Sequence, residues 1–133
     1  MELPESILEF LKENKSKHFF TGSYMFGLTN ADSDIDICIE LRFCIDDFKD
    51  IVKKVYKCNT LDESNYNNGF YVEKDGIKIN FIPLPESIFK NWKYVTSSIL
   101  NMCENESIKT VLKIKENRIA LFEILKGFFR ITL

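Results

Sequence analysis

Residues 34–41, "DIDICIEL", alternate charged or polar with apolar side chains. A period of two marks a strand with one buried face. In a strand, residues i and i+2 share a face, so Asp34 and Asp36 point one way while Ile35, Ile37 and Ile39 point into a core. Two like charges side by side on a sheet repel, and folding tolerates them cheaply only if a cation lies between them. The stretch therefore demands both a sheet buried on one side and an explanation for the acids on the other.

The flanking sequence supplies the remaining layers. "LPESILEFLKENK" has Pro4 near a helix start and Ile7, Leu8 and Leu11 at helical spacing, which predicts a helix over 4–14. "HFFTG" is a short strand ending in glycine. "DDFKDIVKKVY" puts Phe48, Ile51, Val52 and Val55 on one helical face, with Asp46 or Asp47 as the N-cap. Residues 61–69, "LDESNYNNG", are polar and turn-rich and predict a loop. "FYVEKDGIKINFIPL" is two alternating runs about Asp75-Gly76, a hairpin signal. A helix is predicted from Pro85 to about 103, with Ile88, Phe89, Trp92, Val95 and Ile99 as its core stripe. A final helix over 105–130 carries Ile108, Val111, Leu112, Lys115, Ile119, Phe122, Leu125 and Phe129 on one stripe. The expected fold class is α+β: a small mixed sheet flanked by helices, in one domain over 1–133, with a core in 1–102 and a helical C-terminus.

Composition narrows the function classes. Eighteen basic against 20 acidic residues leave a formal net charge of −2, a poor match to non-specific nucleic-acid binding. Cys38, Cys44, Cys58 and Cys103 form no C-x-x-C pair, and His18 is the single histidine, which argues against zinc. No secretory signal or membrane-spanning run is evident, so reduced thiols, a cytoplasmic location and no membrane partner are expected.

A hard divalent ion, Mg²⁺ or Mn²⁺, fits the Asp34–Asp36 pair, because such ions take carboxylate oxygens and keep water and phosphate oxygens as other ligands. Just upstream, Gly22-Ser23 ends a strand and can open a short helical turn, "SYMFG". Free backbone N–H groups and the positive dipole end of such a turn suit a phosphate. The ten residues between Ser23 and Asp34 let the chain run along that turn and return in the neighbouring strand. The alternative is plainer: Ser33 as an N-cap and two solvated aspartates on an open face.

The stretch "TGSYMFGLTNADSDIDICI" resembles the signature of the nucleotidyltransferase superfamily typified by DNA polymerase beta, in its compact bacterial and phage form G-S-x-x-x-G-x(5)-S-D-x-D. The signature covers 20–40, and the resemblance extends to about residue 102. It implies a protein that moves a nucleoside monophosphate from a nucleoside triphosphate to a hydroxyl acceptor. Asp34 and Asp36 would hold one or two Mg²⁺ ions, and Gly22, Ser23 and Ser33 would hold the nucleotide, with ATP the first candidate. Family members modify antibiotics, tRNA ends, proteins and metabolites, so the acceptor is open, a protein or RNA included.

The sequence departs from that pattern where a third carboxylate is expected. The second hairpin strand, "IKINFI", carries Asn80 there. Asn80 can offer a carbonyl oxygen but neither charge nor a base. With Asp75-Gly76 as a two-residue turn, Tyr71 opposes Asn80 and Glu73 opposes Lys78. All four are placed on the face of Asp34 and Asp36, and Glu73 and Lys78 are expected to form a cross-strand ion pair. Two readings follow: an active transferase that works without the third acid, or an inactive relative that binds a nucleotide or a protein partner. Tyr24 and Phe26 stand where many relatives carry a basic residue near the phosphates. Lys109, Lys113, Lys115 and Arg118 make the last helix basic, and its phenylalanines could cover the sheet or form a homodimer seam.

Overall fold

The computed structural model describes residues 2–22, 26, 34–64 and 68–130. Among them, five helices and five strands follow the order α1 (Glu5–Glu13), β1 (His18–Thr21), β2 (Ile35–Glu40), α2 (Ile45–Tyr56), β3 (Asp62–Glu63), β4 (Phe70–Lys74), β5 (Ile77–Leu84), α3 (Glu86–Met102), α4 (Glu106–Leu112) and α5 (Lys115–Phe128). The strands form one mixed sheet in the order β1-β2-β5-β4-β3. β2 and β5 are parallel, and the other neighbours are antiparallel. The expected α+β class, a small mixed sheet flanked by helices, is the one observed.

The strand alternation sorts the core into two layers. Ile35, Ile37 and Ile39 of β2 join Ile79 and Phe81 of β5 under α1 and α2, with Ile7, Leu11, Phe48 and Val52. On the opposite face Cys38, Ile82 and Leu84 lie under α3, against Phe89, Trp92, Val95 and Ile99. Trp92 is therefore a core residue, as its stripe predicts. Phe26 is buried in the same layer, its ring 6.0 Å from that of Phe122. All four cysteines are free thiols.

Three local expectations need correction. α2 begins after Cys44, whose side chain makes no capping bond; Asp46 and Asp47 lie inside the first turn, where their charge favours the helix dipole. The segment 61–69 is not all loop, because Asp62 and Glu63 pair with Tyr71 and Phe70 as an edge strand. The terminal helix is two helices. Ile114 is extended (φ −78°, ψ 120°) and caps α5. Asn117 donates to the carbonyl of Val111, and Arg118 donates to those of Leu112 and Lys113. Those carbonyls end α4, where intrahelical donors run out; that of Val111 also accepts from the Ile114 N–H at 3.3 Å. Of the predicted stripe, Leu112 is buried and Phe122, Leu125 and Phe129 pack on the α3 layer, while Ile108, Val111 and Ile119 are exposed.

Candidate functional site

The parallel register of β2 and β5 sets Asp36 beside Asn80. The antiparallel register of β5 and β4 sets Asn80 beside Tyr71 and Lys78 beside Glu73, as the two-residue turn requires. Asp75 and Gly76 have φ of 55° and 81°, the paired positive values of that hairpin turn. Asp36, Asn80 and Tyr71 thus form a row across three strands, on the face that α3 covers farther along. The helix leaves this end of the face open. There, Asp34, Asp36, Asn80, Lys78, Tyr71, Glu63 and Ser64 line a cavity of about 450 Å³.

Asn80 is buried and points its amide nitrogen at both acids. Its Nδ2 donates to Asp36 Oδ1 at 2.9 Å and, less closely, to Asp34 Oδ2 at 3.4 Å. Asp36 is half-buried and makes no ion pair among the described residues. Burial pushes its carboxyl up to about 6; the Asn80 bond opposes that rise and the Asp34 charge adds to it. The thiol of Cys38, next on the same face, is pushed up by burial and then by Asp36. Asp34 is exposed at the mouth.

Gly22 closes the β1 side. Its φ is +78°, a conformation that favours glycine, and a Cβ built there would lie 2.3 Å from Asp36 Oδ2. The missing side chain is what makes room for the Asp36 carboxylate. Phe26 N–H donates to the Gly22 carbonyl at 3.2 Å. Behind this corner, the hydroxyls of Thr21 and Thr96 are 2.9 Å apart and tie β1 to α3. Ser23, Tyr24, Gly27 and Ser33 lie outside the described residues, and with them most of the expected "SYMFG" turn.

The expected Glu73–Lys78 ion pair does not form among the described residues. The Lys78 ammonium instead lies 4.7 Å from the centre of the Tyr71 ring. Tyr71 is its diagonal neighbour and within reach of a long side chain, whereas an exposed ion pair with Glu73 would gain little. Lys78, Glu63 and Ser64 enter the site without having been marked as site residues by the sequence. A two-residue edge strand carries no readable period, so nothing in the sequence could place the last two.

The donor set suits one divalent ion. Two carboxylates on one face match how Mg²⁺ is commonly held, with phosphate and water oxygens completing the shell. Among the described residues no group of three or more His, Cys, Asp and Glu side chains could hold a metal by themselves. No described helix is long and apolar enough to cross a membrane.

No curated protein matches the chain. A family model does: the nucleotidyltransferase domain aligns with residues 4–104, which run from the start of α1 to just beyond α3 and include the whole sheet and every described residue of the cavity. That span is three-quarters of the sequence, and it makes this chain a member of the nucleotidyltransferase domain family.

Proposed function

We propose that the protein transfers a nucleoside monophosphate from a metal-bound nucleoside triphosphate, ATP being the first candidate, to a hydroxyl acceptor. Family membership supports nucleotidyl transfer and nucleotide binding in general. The observation that carries the finer reading is Asp36: a carboxylate pressed against Gly22, raised to about 6 and given only an amide partner. Structural carboxylates are usually paired with a cation; one left short of charge in a cleft is a candidate for ligand chemistry.

In this reading Asp34 and Asp36 hold a Mg²⁺ or Mn²⁺ ion, which would neutralise charge on the triphosphate as pyrophosphate departs. Asn80 keeps the two carboxylates together by donating to both. Gly22, with Ser23 and Ser33, is the candidate cradle for the phosphates. The acceptor oxygen bonds the α-phosphorus, the bond from that phosphorus to the bridging oxygen breaks, and pyrophosphate leaves with the electron pair. The acceptor proton passes to water. The acceptor is a protein, an RNA or a small hydroxyl compound.

The amide of Asn80 favours a second reading, because it holds the place of the third acid: a nucleotide-binding protein without transfer. One experiment separates the two. The protein is incubated with each α-³²P-labelled triphosphate, Mg²⁺ and a cell extract. Label that moves to an acceptor, and does not with Asp34→Ala or Asp36→Ala, supports transfer. Metal-dependent binding with no transfer supports the second reading. Neither binding nor transfer contradicts both.

A further inference from the structure

We infer that this site takes a single divalent cation, and that the ammonium of Lys78 supplies the second positive charge on the side where the acceptor enters. The inference rests on the metal–nucleotide reading above and goes beyond it in assigning the count of ions and the role of Lys78.

Three features close the site to a second ion. Asn80, the inter-strand neighbour of Asp36, presents an N–H donor to both carboxylates, at 2.9 and 3.4 Å. A donor at that position repels a cation where a third carboxylate would attract one. The amide also engages one oxygen of each acid, Asp36 Oδ1 and Asp34 Oδ2. The next acidic residue lining the cavity is Glu63. It sits on β3, which β5 and β4 separate from β2, so its backbone lies about 14 Å away at ordinary strand spacing. It cannot share an ion with Asp36, in line with the absence of any three-residue metal group among the described residues.

Lys78 is placed to make up the deficit. It precedes Asn80 by two residues on the same face of β5 and lines the same cavity. Its ammonium rests over Tyr71 and makes no ion pair among the described residues, its cross-strand neighbour Glu73 included. The charge is therefore held by a ring face rather than cancelled by a carboxylate. Its location along the sheet matters as well. Gly22 lies at the end of β1 on one side of Asp36, and Lys78 lies on β5 toward β4 on the other. In phosphoryl transfer the entering and leaving oxygens lie roughly in line through phosphorus. With the triphosphate cradled at Gly22, the acceptor hydroxyl comes from the Lys78 side. A compact ammonium with three donors can there offset the negative charge of the entering oxygen and of the α-phosphate.

The test counts ions and needs no acceptor. Mn²⁺ and a saturating mixture of the α,β-methylene analogues of ATP, GTP, CTP and UTP are equilibrated with the protein across a dialysis membrane, and the excess Mn²⁺ on the protein side is counted per chain. The wild type should bind one Mn²⁺ per chain, and the Asn80→Asp/Lys78→Met variant two. Two ions in the wild type would overturn the inference and leave the metal–nucleotide reading standing. One ion in the double variant would overturn the roles given to Asn80 and Lys78. No ion in the wild type would overturn the inference together with the reading beneath it. If Asn80→Asp fails to fold, the wild-type count alone decides: one ion supports the inference, and two overturn it.

Discussion

Glu40 and Asp36 lie on the same face of β2, four residues apart, and their charges meet opposite surroundings. Glu40 is buried, yet Arg42 Nε lies 2.8 Å from its Oε1, and Arg42 Nη2 and the Lys17 backbone N–H also donate to it. The Arg42 hydrogen bond, foremost, holds the Glu40 carboxyl below its ordinary value, against the effect of burial. Asp36 has a neutral amide and a second acid as neighbours, and burial raises it to about 6. The segment just beyond β2 thus supplies a guanidinium for the carboxylate that serves the fold, and no described cation pairs with the carboxylate at the open end. In the function proposed above, a cation that arrives with the nucleotide supplies that missing charge.

The largest effects should fall on the open end. Asp34→Ala and Asp36→Ala should each weaken Mn²⁺-dependent nucleotide binding by more than about 100-fold, the upper end of what losing a mere supporting contact to a metal ligand costs. Both should still melt cooperatively by circular dichroism. Unchanged affinity in both variants would sink the site assignment. Gly22→Ala should act on the same end from the backbone. It forces a Cβ into Asp36 and adds about 1–2 kcal/mol of left-handed strain. The expected readout is a lower urea midpoint together with weakened nucleotide binding; a variant as stable as wild type would show that Gly22 does not confine Asp36.

Smaller effects should separate the two carboxylates by the sign of their pH dependence. Asp36 binds its proton more tightly folded than unfolded, so metal-free stability should fall as pH rises from about 4 to about 6. Asp36→Asn removes that cost. It should be more stable than wild type at pH 8 by about 1–2 kcal/mol, less than the roughly 3 kcal/mol of a two-unit shift because the side chain is only half-buried. The difference should shrink below pH 4. Glu40 behaves in reverse: its folded value is depressed, so its contribution is present above the unfolded value and lost as pH falls through the folded one. Glu40→Gln should lower the urea midpoint slightly at pH 7, with the gap closing in acid. Parallel pH profiles for the two variants would break the contrast between the two ends of β2.

Much of this arrangement was legible in the sequence because a strand has a strict period. "DIDICIEL" assigns the faces of β2, and Asp75-Gly76 sets the register that brings Asn80 beside Tyr71. The parallel pairing of Asp36 with Asn80 was not written locally, since β2 and β5 meet only after α2, β3 and β4 have intervened. The break at Ile114 escaped because the apolar stripe continues across it; the signal lies in Asn117 and Arg118, whose side chains turn back to cap α4. The orientation of Lys78 escaped for an energetic reason. Glu73 and Tyr71 are both within its reach, and the difference between an exposed ion pair and a ring contact is too small for spacing to decide.

The central claim is that Asp34 and Asp36 await a cation that comes with a nucleotide. Calorimetric titration of each nucleoside triphosphate into the wild type, once in Mg²⁺ and once in EDTA, with Asp36→Ala in Mg²⁺ as the control, tests it most directly. The account predicts heat of binding for at least one triphosphate in Mg²⁺, none in EDTA and none with Asp36→Ala. Binding that survives in EDTA or in Asp36→Ala, or no binding of any triphosphate in Mg²⁺, would contradict it.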